Sequence, residues 1–219
     1  SATISLLHRL NFVYKKPKLV PGKANAEKQE SFLKEIKELE EHFAKTDVLM
    51  YLDGVHPQHN SKPSYGWFEK KSKALLKANT GRQRININGA LDASNLEVTT
   101  IIADSINAQS TISLFQKLEE RYLHAKRIIT ICDNASYYRS KLVSEYLKNS
   151  RIKIKFLPPY SPNLNLIERL WQFMNRKVRN NQYYEKFTEF KEAIFTFFEN
   201  ISQYKEELRS LLSKKFHFQ

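Results

Sequence analysis

The chain has 219 residues, 41% of them hydrophobic and 12% aromatic, with few glycines and prolines, so one sizeable core is possible and a fibrous or disordered chain is excluded. Lys and Arg total 36 against 23 Asp and Glu, and the resulting +13 favours a polyanionic partner, nucleic acid or an acidic membrane surface. No apolar run could span a bilayer, no secretory signal is visible, and the lone Cys132 rules out an internal disulfide framework and fits a reducing compartment.

In chain order, residues 3–13 read as the tail of a helix with Ile4, Leu7 and Leu10 on one side. The stretch YKKPKLVPGK contains two prolines and a glycine, which predicts an extended basic linker carrying Lys15, Lys16 and Lys18. Phe32, Ile36, Leu39 and Phe43 then recur at helical spacing, so 26–44 reads as an amphipathic helix. VLMYLD is a short apolar run that predicts a buried strand ending at Asp53. A long basic excursion follows from 57 to 82, with a candidate short strand at YGWF. It carries Lys70, Lys71, Lys73 and Arg82, and Arg84 stands just beyond it. Connections of that length are usually functional or disordered. Tyr65, Trp67 and Phe68 among these lysines suit either stacking on unpaired bases or packing.

RININGAL (84–91) and LEVTTII (96–102) read as two strands of a hairpin. Residues 108–123 predict a helix with Ile112, Phe115, Leu118 and Tyr122 on one face. RIITIC is a buried strand ending at Asp133, residues 136–148 a helix, and IKIKF a strand. LPPYSPNLN is a proline-bounded loop leading into a helix over 166–180, which carries Arg169, Arg176 and Arg179. A last helical region covers roughly 187–213. This order predicts a mixed α/β sheet with helices on its faces.

Asp53 and Asp133 each stand where an apolar strand ends, and sites in open α/β sheets gather at such ends. Two carboxylates brought together there repel unless a cation lies between them, and hard divalent ions prefer oxygen ligands. Glu168, at the start of a helix, could bring a third. Each residue also has a plainer reading. Asp53-Gly54 and Asp133-Asn134 are ordinary turn formers. Asn165 could cap its helix with Glu168 as the reciprocal partner of a capping box. His56 and His59 lack further Cys or His partners at zinc-site spacing, and Cys132 reads as a small core residue.

The segments ICDNAS and IKFLPPYSPNLNLIERLW, with 34 residues (134–167) between Asp133 and Glu168, resemble DDE transposases of bacterial insertion sequences related to the mariner superfamily. LD-x-x-H at Asp53 and GRQRININGALD fit the same pattern. The resemblance implies a ribonuclease H-like fold with a mixed five-stranded sheet and a metal-binding triad of Asp53, Asp133 and Glu168. Two Mg2+ or Mn2+ ions would serve hydrolysis at an element end and strand transfer into target DNA, at a TA dinucleotide. Gly54, Asn163 and Leu166 depart from the usual second acid, Asp and Pro. The resemblance also implies a division into the end of a helix-turn-helix domain (1–14), a linker (15–26) and a catalytic domain (27–219). The chain would be a piece of a longer bacterial cytoplasmic, nucleoid-associated protein that binds inverted repeats and target DNA as a homodimer, with no membrane role. A structure-selective nuclease and an inactivated DNA-binding protein are the alternatives.

Overall fold

The structure is a computed structural model that describes residues 2–14, 25–71, 73–92, 94–213 and 216. The linker lysines Lys15, Lys16 and Lys18 therefore lie outside the described residues. Helix α1 (Ala2–Arg9) buries none of its side chains. Helix α2 (Ala26–Glu41) starts at Asn25, whose side chain accepts the N–H of Lys28 at 2.8 Å. Five strands follow, β1 (Asp47–Val55), β2 (Asn86–Asp92), β3 (Val98–Ala103), β4 (Arg127–Cys132) and β5 (Ile152–Phe156). They form one sheet in the order β3-β2-β1-β4-β5. The β1–β2 and β2–β3 pairs are antiparallel, and the β1–β4 and β4–β5 pairs are parallel. Parallel pairs need crossovers, and helices α3 (Ala108–Arg121) and α4 (Lys141–Lys148) supply them. The chain ends in α5 (Leu166–Met174), α6 (Phe187–Glu199) and α7 (Lys205–Leu211).

The strand period of two divides the core. Leu49, Tyr51, Ile87, Leu91, Ile129 and Ile131 pack one way, against Phe32 and Ile36 of α2, Ile167, Leu170 and Trp171 of α5, and side chains of α6 and α7. Met50, Leu52, Ala90, Ile128, Cys132 and Ile152 pack the other way, against Ile112, Phe115 and Leu118 of α3 and Val143 of α4. The expected sheet, hairpin and helical faces are therefore present. Asp53 inherits the α5 side from this alternation, while its neighbour Gly54 sits in the opposite phase, where an added Cβ would meet Ile106 Cδ1 at 2.5 Å. A second acid at position 54 would thus point away from Asp53.

Several expected elements differ. YGWF forms no strand; Tyr65 and Trp67 are fully exposed and Phe68 is 55% exposed. Residues 136–148 begin as a 3-10 turn, Ser136–Arg139, and restart as α4 with Ser140 as its cap. The helix expected over 166–180 is regular only to Met174 and continues as a π turn, Asn175–Arg179. The last helical region breaks at Asn200 into a 3-10 turn and α7. The excursion between β1 and β2 has a fixed base. Asn181 exchanges hydrogen bonds with both backbone groups of Ser64, and Asn79 donates to the Tyr184 carbonyl. His59 is buried in that base against Phe187 and Phe190, so it serves packing rather than a zinc site.

Candidate active site

Three elements deliver the acids to one place. Asp53 lies near the end of β1 at the centre of the sheet, Asp133 follows the last residue of the adjacent parallel β4, and Glu168 stands in the first turn of α5. All three line one open cavity of about 500 Å³, walled by residues 157–162 and Asn165. The wall is rigid by composition, with Pro158, Pro159 and Pro162 around Tyr160, whose φ of 58° is a left-handed value for a non-glycine residue. Among the described residues that line the cavity there is no Lys, Arg or His.

The electrostatics follow from that composition. Burial, then the Glu168 carboxylate, and more weakly Asp133, push the Asp53 carboxyl up to about 8, against opposing hydrogen bonds from Gly54 and Trp171. Burial and then Asp133 also raise Glu168. Among the described lining residues no cationic side chain offsets this charge. Among the described residues, no three His, Cys, Asp or Glu side chains are drawn together closely enough to hold an ion as they stand. The acids share a cavity rather than a point.

Two partners were missed in the sequence. Trp171 donates its indole N–H to Asp53 Oδ2 at 3.0 Å, fixing one carboxylate oxygen. A buried indole N–H needs a partner, which was the available signal. Gly89 makes that geometry possible, because a Cβ there would lie 2.6 Å from Trp171 Cη2 and 3.4 Å from Ile167 Cδ1. Gly89→Ala should therefore destabilise the fold by about 1–3 kcal/mol and displace the indole from Asp53. A melting curve unchanged from the parent would count against this. Asn165 is the second, since its side chain makes no cap bond and the capping box does not form. Its Nδ2 reaches across to the Leu52 carbonyl instead.

The basic residues divide. Lys70, Lys71, Lys73, Arg82, Arg84 and Arg176 are exposed. Arg169 is turned inward and donates to the carbonyls of Leu211 and Ser213 at the end of α7. Arg179 donates to Asn175 Oδ1 and the Asn60 carbonyl. These two guanidiniums are engaged in tying the fold together. Cys132 is fully buried, and burial raises its thiol, as a core residue requires. Among the described residues no helix is long and apolar enough to cross a membrane.

A mixed five-stranded sheet in this order with helices on both faces is a ribonuclease H-like fold. The DDE superfamily endonuclease model matches residues 48–191, and the chain belongs to that family. A winged helix-turn-helix model matches residues 4–36. That span begins within α1 and ends within α2, whose Phe32 and Ile36 pack in the sheet core. An insertion element IS630 protein of 39 kDa from Shigella sonnei is 26% identical over 157 residues, 71% of this chain and 46% of that protein. The chain thus matches about half the length of this relative. The fold is similar to Mos1 transposase in its paired-end complex with the left transposon end, with a TM-score of 0.65 at 17% identity, covering 99% of this chain and 71% of the other. It is also similar to the mariner Mos1 paired-end complex with Mg, with a TM-score of 0.70 at 17% identity over 97% and 67% of the two chains.

Proposed function

We propose that this chain is the catalytic part of a transposase that cuts a phosphodiester at an element end and joins the freed 3′ hydroxyl to target DNA. The observation that carries this reading is the convergence of Asp53, Asp133 and Glu168 on one cavity whose described lining holds no cationic side chain. The donor set is all hard oxygen, which suits Mg2+ or Mn2+ and not zinc. Asp53, Asp133 and Glu168 would hold the metal, and the neighbouring Mos1 complexes with Mg and with Mn agree with that choice. When bound, a pair of such ions supplies charge stabilisation for the attacking and leaving oxygens of an in-line displacement.

The residues of the chain do the rest. Trp171 orients Asp53, and the proline-bounded wall fixes one side of the cavity. In the first step a water oxygen bonds to phosphorus and the bond to the 3′ oxygen breaks, leaving a 3′ hydroxyl and a 5′ phosphate. In the second, that hydroxyl oxygen attacks a target phosphodiester, and a target 3′ oxygen leaves. TA as target, inverted repeats as substrate and a homodimer on DNA belong to the same proposal. The fully exposed Tyr65 and Trp67, on an excursion with a fixed base, support the dimer as a surface for a second subunit or DNA.

The test is a paired assay with labelled element-end and target oligonucleotides in Mg2+. Cleavage followed by joining supports a transposase. Cleavage without joining would reassign the domain as a nuclease, and neither activity from clean protein would indicate a DNA-binding role alone. The exposed lysines and arginines also make a prediction of their own. Binding should weaken steeply with salt, with a log-log slope of about −0.9 per phosphate contacted and little sequence preference. A flat salt response would remove the proposed DNA role of Lys70, Lys71, Lys73, Arg82, Arg84 and Arg176.

A further inference from the structure

A residue at a helix N-cap usually turns its side-chain oxygen back on the first turn. Asn165 does not. Its Nδ2 donates to the carbonyl oxygen of Leu52, 2.9 Å away and one residue before Asp53. Its own backbone carbonyl accepts the N–H of Glu168 at 3.2 Å. One side chain, 3% exposed, thus joins the strand end that carries Asp53 to the helix start that carries Glu168. The turn ahead of it is braced from α2, where the wholly buried Gln29 accepts from Asn163 Nδ2 at 3.0 Å. The arrangement has a cost, because Asn165 Oδ1 is left buried without a partner. A serine would cap the helix without that cost. The asparagine is therefore explained by its donor and not by its cap.

We propose that Asn165 is a positioning residue, which sets the separation of the Asp53 and Glu168 carboxylates by tying the end of β1 to the start of α5. The proposal rests on reading the cavity as a divalent-cation site. Oxygens must meet such an ion at about 2.0–2.6 Å, so a small drift of α5 against β1 would spoil a shared ion. Partners that orient metal ligands from behind are typically worth about 10- to 100-fold in metal affinity.

The test is Mn2+ titration of the whole chain without DNA, followed by the rise in melting temperature. Asn165→Ser introduces a side chain able to cap the helix but too short to reach the Leu52 carbonyl. In chelator it should melt within a few degrees of the parent. It should need about 10- to 100-fold more Mn2+ for the same upshift. An unchanged Mn2+ midpoint would overturn the tether while leaving the metal site standing. Asn165→Thr, which also caps and fills more space, repeats the measurement if the serine variant does not fold. Failure of both to fold would overturn the proposal, since Asn165 would then serve the fold and not the site. A parent with no Mn2+ upshift would remove the cation reading itself, and the tether with it.

Discussion

Glu168→Gln should give a protein that melts normally and still binds DNA but loses more than about 10²-fold of its cleavage and joining in Mg2+. Stability should change little for two reasons. The capping box that would have used Glu168 is absent, because the Asn165 side chain is committed to Leu52. A carboxylate in a first helical turn gains about 0.3–1 kcal/mol from the helix dipole, but burial and Asp133 already work against the ionised form here. Removing the charge gives back part of what it loses. What the amide cannot do is supply a negative oxygen to a hard divalent ion. Activity within a few-fold of the parent would sink the assignment of Glu168. Loss of DNA binding together with activity would place the residue in the DNA interface instead.

The sheet was legible because its strands are short apolar runs with little ambiguity; β4 stops just before Asp133, whereas β1 runs two residues past Asp53 to Val55, a continuation through Gly54 that a turn-forming Asp-Gly pair hides. The β2–β3 hairpin followed from β-branched alternation around a turn, with Leu96 adopting a positive φ in that turn. Breaks within helices were not legible. Nothing in residues 166–180 signals that the α-helix gives way to a π turn at Asn175, since the apolar period continues through Val178. Chemistry singles out the three acids as candidates, but not the setting in which they stand. By spacing alone Trp171 is one more apolar residue of its helix, and only the pairing of Leu52 with Ala90 and Asp53 with Gly89 places it over Asp53. Charge counting found the basic segments but could not separate exposed Lys70 from Arg169, whose guanidinium is spent on backbone carbonyls. Long-range pairing decided each of these cases, and local sequence carries little record of it.

Asp53→Asn should stabilise the metal-free protein, and by an amount that grows with pH. The Asp53 carboxyl titrates near 8 in the fold, for burial and for the nearness of Glu168, against an ordinary value of 3.8. Between those two values the native state holds a proton that the unfolded chain has released. Stability therefore falls as pH rises through that window. The penalty is absent below the ordinary value and fully developed above about 8. Its size is on the order of several kcal/mol. Asparagine has the same shape, carries no charge at any of these pH values, and offers an oxygen that can still accept the Trp171 indole N–H. In chelator, the variant and parent should melt close together at pH 4 and diverge by roughly 5–10 °C at pH 8, the variant higher. Adding Mg2+ or Mn2+ at pH 8 should then raise the parent more than the variant, because an ion that binds only the native state stabilises it by mass action and the amide binds it poorly. The two effects have opposite signs at one residue, as a site strained for function requires. A melting difference that stays constant from pH 4 to pH 8 would mean that Asp53 is an ordinary solvated carboxylate, and the electrostatic case for the cation site would go with it.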